Sequence, residues 1–234
     1  MLRLNNMLRL ARLRELFRAI DQYCKGEILD VGGFDFFQEI AKRPKVNFSS
    51  WTSLELEKNS ISFSDARYKS FVGDGENMQF PSGSFDTILN IQVLEHTFNP
   101  TKMLSEIERV LKPGGYGIFV IPQSSLMHAP PVHYYNFTKF WIAKAMKVAG
   151  LEIVELKALG GFWSTMASNF VLFFYKAFKS PYYSTIEDKR GLLFYFLLPI
   201  MAAYALISIP VCLFLSLSDL IEDPNNWLVV VKKP

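Results

Sequence analysis

EILDVGG at residues 27–33 reads as one buried strand running directly into a tight turn. Ile28, Leu29 and Val31 make a near-continuous apolar run, the pattern of a strand covered on both faces, and the paired glycines Gly32 and Gly33 punctuate it. The same alternation continues outward. Phe34–Lys42 has helical spacing and Pro44 stops it. WTSLEL (51–56) is a second strand ending near Glu55, and Tyr68–Val72 is a third, closed by Gly73-Asp74-Gly75. FDTILNI (85–91) is a fourth. Met103–Leu111 is an amphipathic helix stopped by Lys112-Pro113-Gly114-Gly115, and YGIFVI (116–121) is a fifth strand. Strands separated by helices require crossover connections and so a parallel sheet, whose ligands bind beyond the carboxyl ends of the strands. The residues at those ends are Asp30 to Asp35, Glu55, Asp74 and Asn90.

Their chemistry is specific. A glycine turn after the first strand allows close approach to the backbone. An acid ending the second strand, Glu55, can accept both hydroxyls of a ribose. An acid after the third, Asp74, can accept an adenine amino group. No lysine or arginine stands among these positions, and Gly-x-Gly-x-x-Gly is absent, so a pyrophosphate-bearing dinucleotide fits poorly. A cationic adenosine compound without phosphate fits better, and S-adenosylmethionine has both properties.

ILDVGG (28–33), SLELEKN (53–59), GDGENMQFPSGSFDTILNIQVLEH (73–96) and ERVLKPGGYGIFVIPQ (108–123) resemble class I S-adenosylmethionine-dependent methyltransferases of the type 11 kind, which act on small molecules and in glycan pathways. The resemblance covers roughly residues 26–160. It implies a seven-stranded Rossmann-like α/β sheet, S-adenosylmethionine as cofactor, and binding by Asp30, Gly32, Gly33, Glu55, Asp74, Gly75 and Asn90. The chain departs from the family at one place. Where the family reads acid-x-Gly-x-Gly-x-Gly, this chain reads Asp30-Val31-Gly32-Gly33-Phe34-Asp35-Phe36, with two aromatic residues in place of two glycines.

After the fifth strand comes PQSSLMHAPPVHYYNFT (122–138), an irregular loop rich in proline, tyrosine and histidine. Loops following strand ends commonly carry function. A hydroxyl acceptor must lose a proton during methyl transfer, and histidine suits that near neutral pH. His133 is the first candidate base and His128 the second. His96 is expected to orient the end of the fourth strand instead. In related methyltransferases an arginine commonly stands where Asn136 is. Thr138 is a good N-cap for a helix over Lys139–Val148.

Leu151–Leu156 and Trp227–Val231 read as the sixth and seventh strands, paired antiparallel at the sheet edge. About 70 residues separate them, where a hairpin needs only a few. Phe162–Tyr175 carries no charge but is short for a membrane span. Gly191–Ser218 carries none over 28 positions, which is long enough. Pro199 and Pro210 are expected to break or kink the second stretch into pieces. A single crossing would leave the seventh strand on the wrong side of a bilayer, so helices lying in or dipping into one leaflet are expected. Lys176, Lys179, Lys189 and Arg190 flank them and can meet headgroups. The domain plan is a basic N-terminal helix (1–24), a methyltransferase domain (25–160 plus 225–234) and an apolar helical insertion (161–224).

Composition bounds the function. The chain has 234 residues, half of them hydrophobic, with a formal net charge of +3, which excludes a mainly disordered state. Five arginines and one acid give residues 1–20 a charge of +4, so the rest of the chain carries −1. No basic stripe recurs, which argues against nucleic acid as a partner. Arginines interrupt every short apolar stretch at the N-terminus, unlike a secretory signal. Two cysteines, Cys24 and Cys212, cannot build a disulfide framework, and three histidines make a histidine-rich metal site unexpected. The expectation is methyl transfer to a hydroxyl of a small-molecule or lipid-linked acceptor, a saccharide or an isoprenoid or quinone lipid, at the cytoplasmic face of a membrane. Two alternatives stand beside it. One is a silent methyltransferase-fold subunit whose cofactor space Phe34 and Phe36 close. The other is a soluble small-metabolite enzyme that uses the insertion to form a homo-oligomer.

Overall fold

The computed structural model describes residues 2–58, 63–129, 131–178 and 190–234; Lys179 and Lys189 lie outside the described residues, as do the side chains of Arg3, Arg9 and Arg12. Seven strands form one sheet: β1 (Lys25–Val31), β2 (Asn47–Glu55), β3 (Tyr68–Val72), β4 (Phe85–Ile91), β5 (Leu111–Pro122), β6 (Glu152–Leu159) and β7 (Asn226–Lys232). Their order is β3-β2-β1-β4-β5-β7-β6. The pairs β1/β2, β1/β4, β2/β3 and β4/β5 are parallel. The seventh strand runs against the fifth: Gly114 at the start of β5 donates to the Lys233 carbonyl and Lys233 donates to Gly115, while Gln123, just past the other end of β5, donates to Asn225. The helices are α1 (Leu2–Tyr23), α2 (Phe36–Ile40), α3 (Pro100–Val110), α4 (Lys139–Val148), α5 (Phe162–Phe178) and α6 (Leu192–Leu215).

The chain forms two compact units. The larger comprises Arg14–Pro122, Tyr134–Lys157 and Trp227–Pro234; the smaller comprises Met1–Leu13, Gln123–His133 and Ala158–Asn226. The sheet supplies the core of the larger unit. Ile28 and Leu29 of β1, Ile88 and Leu89 of β4, Ile118 and Phe119 of β5 and Leu228 to Val231 of β7 are all buried. These are the continuous apolar runs that a sheet covered on both faces requires. Helix α3 starts with Pro100 at its first position, where the missing N–H costs nothing, and buries Met103, Leu104, Ile107 and Val110 along one face. In α1, Leu16, Ala19 and Ile20 are buried. Its end is tied to β6: Arg18 and Tyr23 both donate to the Glu155 carboxylate.

In the smaller unit α5 and α6 pack as a hairpin, with Val171 and Phe174 against Ala205 and Ile209. Asp219 closes one end, accepting from the amides of Trp163 (2.7 Å) and Ser164 (3.0 Å) in the first turn of α5. A side chain at Gly161 would meet the Leu220 carbonyl at 2.4 Å, so only glycine lets this segment reach the helix terminus.

Three elements differ from the sequence reading. Helix α2 starts at Phe36, not Phe34, because Phe34 adopts a left-handed φ of 49° that no helix accommodates. Strand β5 starts at Leu111, because Gly114 and Gly115 pair with Lys233 instead of ending a helix in a loop. The prolines do not break α6, which runs through Pro199 and Pro210 for 24 residues. Each proline removes one ladder bond, and the remaining bonds keep the helix continuous.

Candidate cofactor and acceptor sites

The strand ends of the larger unit gather the residues singled out for the cofactor. Gly32 leaves β1 with φ +68°, a conformation glycine adopts at no steric cost, and its amide donates to the Leu54 carbonyl at 2.8 Å. Its neighbour Gly33 is constrained by space. A Cβ there would fall 1.9 Å from Asp30 Oδ2, so the turn folds directly over the Asp30 carboxyl. Asp30 is buried, and burial, followed by the nearby Glu55 charge, pushes its carboxyl well above the usual carboxylate range. Glu55 is also buried; its Oε1 accepts from the Phe34 amide at 2.9 Å and from the Ser53 hydroxyl at 2.6 Å. Phe34 thus takes the left-handed place of a family glycine, and its side chain stays out of the core, 63% exposed. Phe36 is half-buried in α2, and Asp35 is exposed just before that helix.

Asp74 is exposed and turns the chain, its Oδ1 accepting from the Glu76 amide at 2.8 Å. Gly75 is buried against Met103, whose Cε would lie 2.5 Å from an added Cβ. Asn90, fully buried, pairs in register with Val31 across β1 and β4, and its Nδ2 donates weakly to the Met103 sulfur at 3.5 Å. Met103 is therefore the residue the sequence reading missed: from α3 it reaches both Gly75 and Asn90. Its position on the apolar face of an amphipathic helix gave only a core signal. Asp30 Oδ1 and Asn90 Oδ1 are buried oxygens without a hydrogen-bond partner. Both lie at the ends of adjoining strands, and Arg18, Arg43, Arg109 and Lys112 are paired to other acids. This acceptor-rich set, with its glycine turn, fits a cationic adenosine cofactor. A shallow depression lined by Lys25, Gly26, Asn47 and Asp86 lies at the opposite, amino ends of the strands.

The candidate acceptor residues lie in the smaller unit. His128 Nδ1 is 3.1 Å from the Leu126 carbonyl. A carbonyl only accepts, so Nδ1 carries the proton and Nε2 of the neutral ring keeps its lone pair. His133 is the reverse: its Nδ1 accepts from the His128 amide at 3.0 Å, which places the proton of the neutral ring on Nε2. The rings lie 4.3 Å apart. In the larger unit, His96 sits in a short 3-10 turn with Nε2 3.9 Å from Glu95 Oε1. The amide of Tyr134 donates to the Glu95 carbonyl, and the Tyr135 hydroxyl donates to Phe98. Asn136 is exposed, and Thr138 caps α4 by accepting from the Trp141 amide at 3.3 Å.

Residues 29–119 match the Methyltransferase domain family. A probable S-adenosylmethionine-dependent methyltransferase of Mycolicibacterium smegmatis is 23% identical over 156 residues, 60% of this chain and 58% of that protein. A fatty-acid O-methyltransferase of the same organism is 33% identical over 76 residues, 30% of this chain and 28% of that protein. The chain thus spans less than two thirds of the length of these relatives. Among solved structures, a putative methyltransferase in complex with the Haloferax volcanii Trm112 activator superposes with a TM-score of 0.62 at 14% identity, covering 98% of this chain and 93% of that one. Residues 29–119 are thus similar to a methyltransferase domain, and the seven-stranded sheet around them has the fold of solved methyltransferases.

Proposed function

We propose that this protein transfers a methyl group from S-adenosylmethionine to a hydroxyl of a lipid-linked or otherwise membrane-proximal acceptor, working at the cytoplasmic face of a membrane. The observation that carries the reading is α6: an uncharged helix long and apolar enough to cross a bilayer, placed between the last two strands of a methyltransferase sheet. Only Ala205, Ile209 and Cys212 are buried along it, at helical spacing on one stripe. Leu193, Phe196, Ile200, Tyr204, Ile207 and Phe214 are exposed on the remaining sides. A helix resting flat among headgroups has a polar face, which α6 lacks. Its 24 residues are about 36 Å long, against roughly 30 Å of hydrocarbon, so it enters the apolar layer. The fatty-acid O-methyltransferase among the relatives supports a lipid acceptor and an oxygen nucleophile.

Asp30, Gly32, Gly33, Glu55, Asp74, Gly75 and Asn90 hold the cofactor in this reading. When bound, it supplies an electrophilic methyl group on a sulfonium. The chain's own contribution is alignment and proton removal. His128 takes the acceptor's proton on Nε2, because its Nδ1 already donates to Leu126 and fixes both ring and tautomer. His133 ranks behind it, since the lone pair on Nδ1 is engaged by the His128 amide.

The test begins with calorimetric titration of S-adenosylhomocysteine into the full-length protein. Saturable binding is expected, weakened about tenfold or more in Asp74→Ala, the loss of one charge-assisted hydrogen bond. Labelled methyl donor supplied with a membrane lipid extract should then label the organic phase, and His128→Gln should lose that labelling while retaining cofactor affinity. A folded wild type that binds no S-adenosylhomocysteine would favour a silent subunit. Labelling confined to water-soluble products would favour the small-metabolite enzyme.

A further inference from the structure

The loop carrying His128 and His133 is fastened within its own unit at two places, to the segment between α6 and β7 and to α5. At its start, the amides of Gln123 and Ser124 both donate to the Asn225 carbonyl, at 3.0 and 3.2 Å. The Gln123 side chain reaches the Glu222 carbonyl at 3.3 Å and Asp223 Oδ1 at 3.2 Å. In its middle, Lys176 Nζ from the last turns of α5 donates to the Met127 carbonyl at 2.5 Å. The backbone that carries Lys176 is itself held. Arg190, just before α6, donates to the carbonyls of Lys176 (2.7 Å) and Ala177 (2.8 Å), and its guanidinium lies over the Phe194 ring, 4.8 Å from the centroid.

The second fastening bears directly on the histidines. The Met127 carbonyl and the His128 N–H belong to one planar peptide group. Lys176 grips the oxygen side of that plane, and the N–H side donates to His133 Nδ1. The orientation of this single peptide therefore sets where the His128 side chain begins and which nitrogen of His133 stays unprotonated. We propose that Lys176 is a positioning residue for the His128–His133 pair, so that the seating of the α5/α6 hairpin in its membrane fixes the tautomer and direction of the proton acceptor. The inference rests on the reading of His128 as that acceptor.

The experiment uses the full chain labelled with nitrogen-15 histidine, in vesicles of phosphatidylethanolamine and phosphatidylglycerol. The three imidazoles are assigned by single His→Gln variants. In the wild type, His128 should show a protonated Nδ1 and an unprotonated Nε2, and His133 the opposite. Lys176→Met should lose this single-tautomer pattern at both histidines, Lys176→Arg should restore it, and S-adenosylhomocysteine affinity should stay unchanged. Arg190→Gln, which loosens the Lys176 backbone without touching the loop, should give a weaker form of the same loss. Methyl incorporation into lipid extract should fall about tenfold to a hundredfold in Lys176→Met, the scale set by a misplaced catalytic group. Wild-type tautomers in both Lys176→Met and Arg190→Gln would overturn the proposal. His128→Gln with undiminished methyl transfer would instead overturn the role of His128 and leave the tautomer result standing.

Discussion

Asp30 shows how one side chain can be costly to the fold and useful to the site. Its carboxyl is sealed beneath Gly33 and beside Glu55, with its pKa raised by burial and then by that neighbour. An acid whose folded pKa lies above its unfolded one holds its proton more tightly in the native state. Its stabilising contribution is therefore complete below the unfolded pKa and is lost as pH rises towards the folded one. Asp30→Asn should remove that dependence, flattening the melting temperature as pH rises above the unfolded carboxylate range, while weakening S-adenosylhomocysteine binding. Gly33→Ala should cost about 1–3 kcal/mol by overpacking, read from urea unfolding, because its methyl group has only the Asp30 carboxyl to displace. The acid and the glycines of this turn were legible in the sequence. The left-handed backbone of Phe34 was not, because a bulky residue there runs against local preference and is held by a contact 21 positions away, the bond from its amide to Glu55.

Elements in this chain are secured by a few polar ties at their ends. Asp219 satisfies two amides at the start of α5, and Asp219→Ala should cost about 1 kcal/mol, seen as a lowered melting temperature. Glu155 on β6 is opposed by its own burial, yet hydrogen bonds from Arg18, Tyr23 and Lys157 bring its carboxyl down to about 2. With the folded pKa below the unfolded one, this tie stabilises above the unfolded pKa and is lost as acid carries the pH from 4.5 towards 2. Glu155→Gln should therefore reduce stability at pH 7 and leave it nearly unchanged at pH 2. Helix α6 was legible in composition and misleading in detail. Two prolines announced breaks, but loss of two ladder bonds is outweighed by the remaining bonds along its 24 residues.

At the scale of the whole molecule, a methyltransferase sheet and an apolar hairpin share one chain, and the hairpin interrupts the sheet between its last two strands. The expected consequence is flotation of the full-length protein with liposomes. Replacing Phe196 and Ile200, both exposed on α6, with glutamate should leave the hairpin packing of Val171, Phe174, Ala205 and Ile209 intact and abolish flotation. The sequence by itself determined the parallel sheet, the acids and glycines at its strand ends and the extent of the uncharged stretch, because apolar runs, turn residues and charge are local properties of the chain. Tertiary structure alone decided that Met103 meets Gly75 and Asn90, that Gly114 and Gly115 join β5 by pairing with Lys233, and that His128 Nδ1 faces the Leu126 carbonyl while His133 Nδ1 accepts from the His128 amide. Each of these depends on which donor the folded chain brings to which acceptor. That distance is set by long-range packing, which no window of the sequence contains.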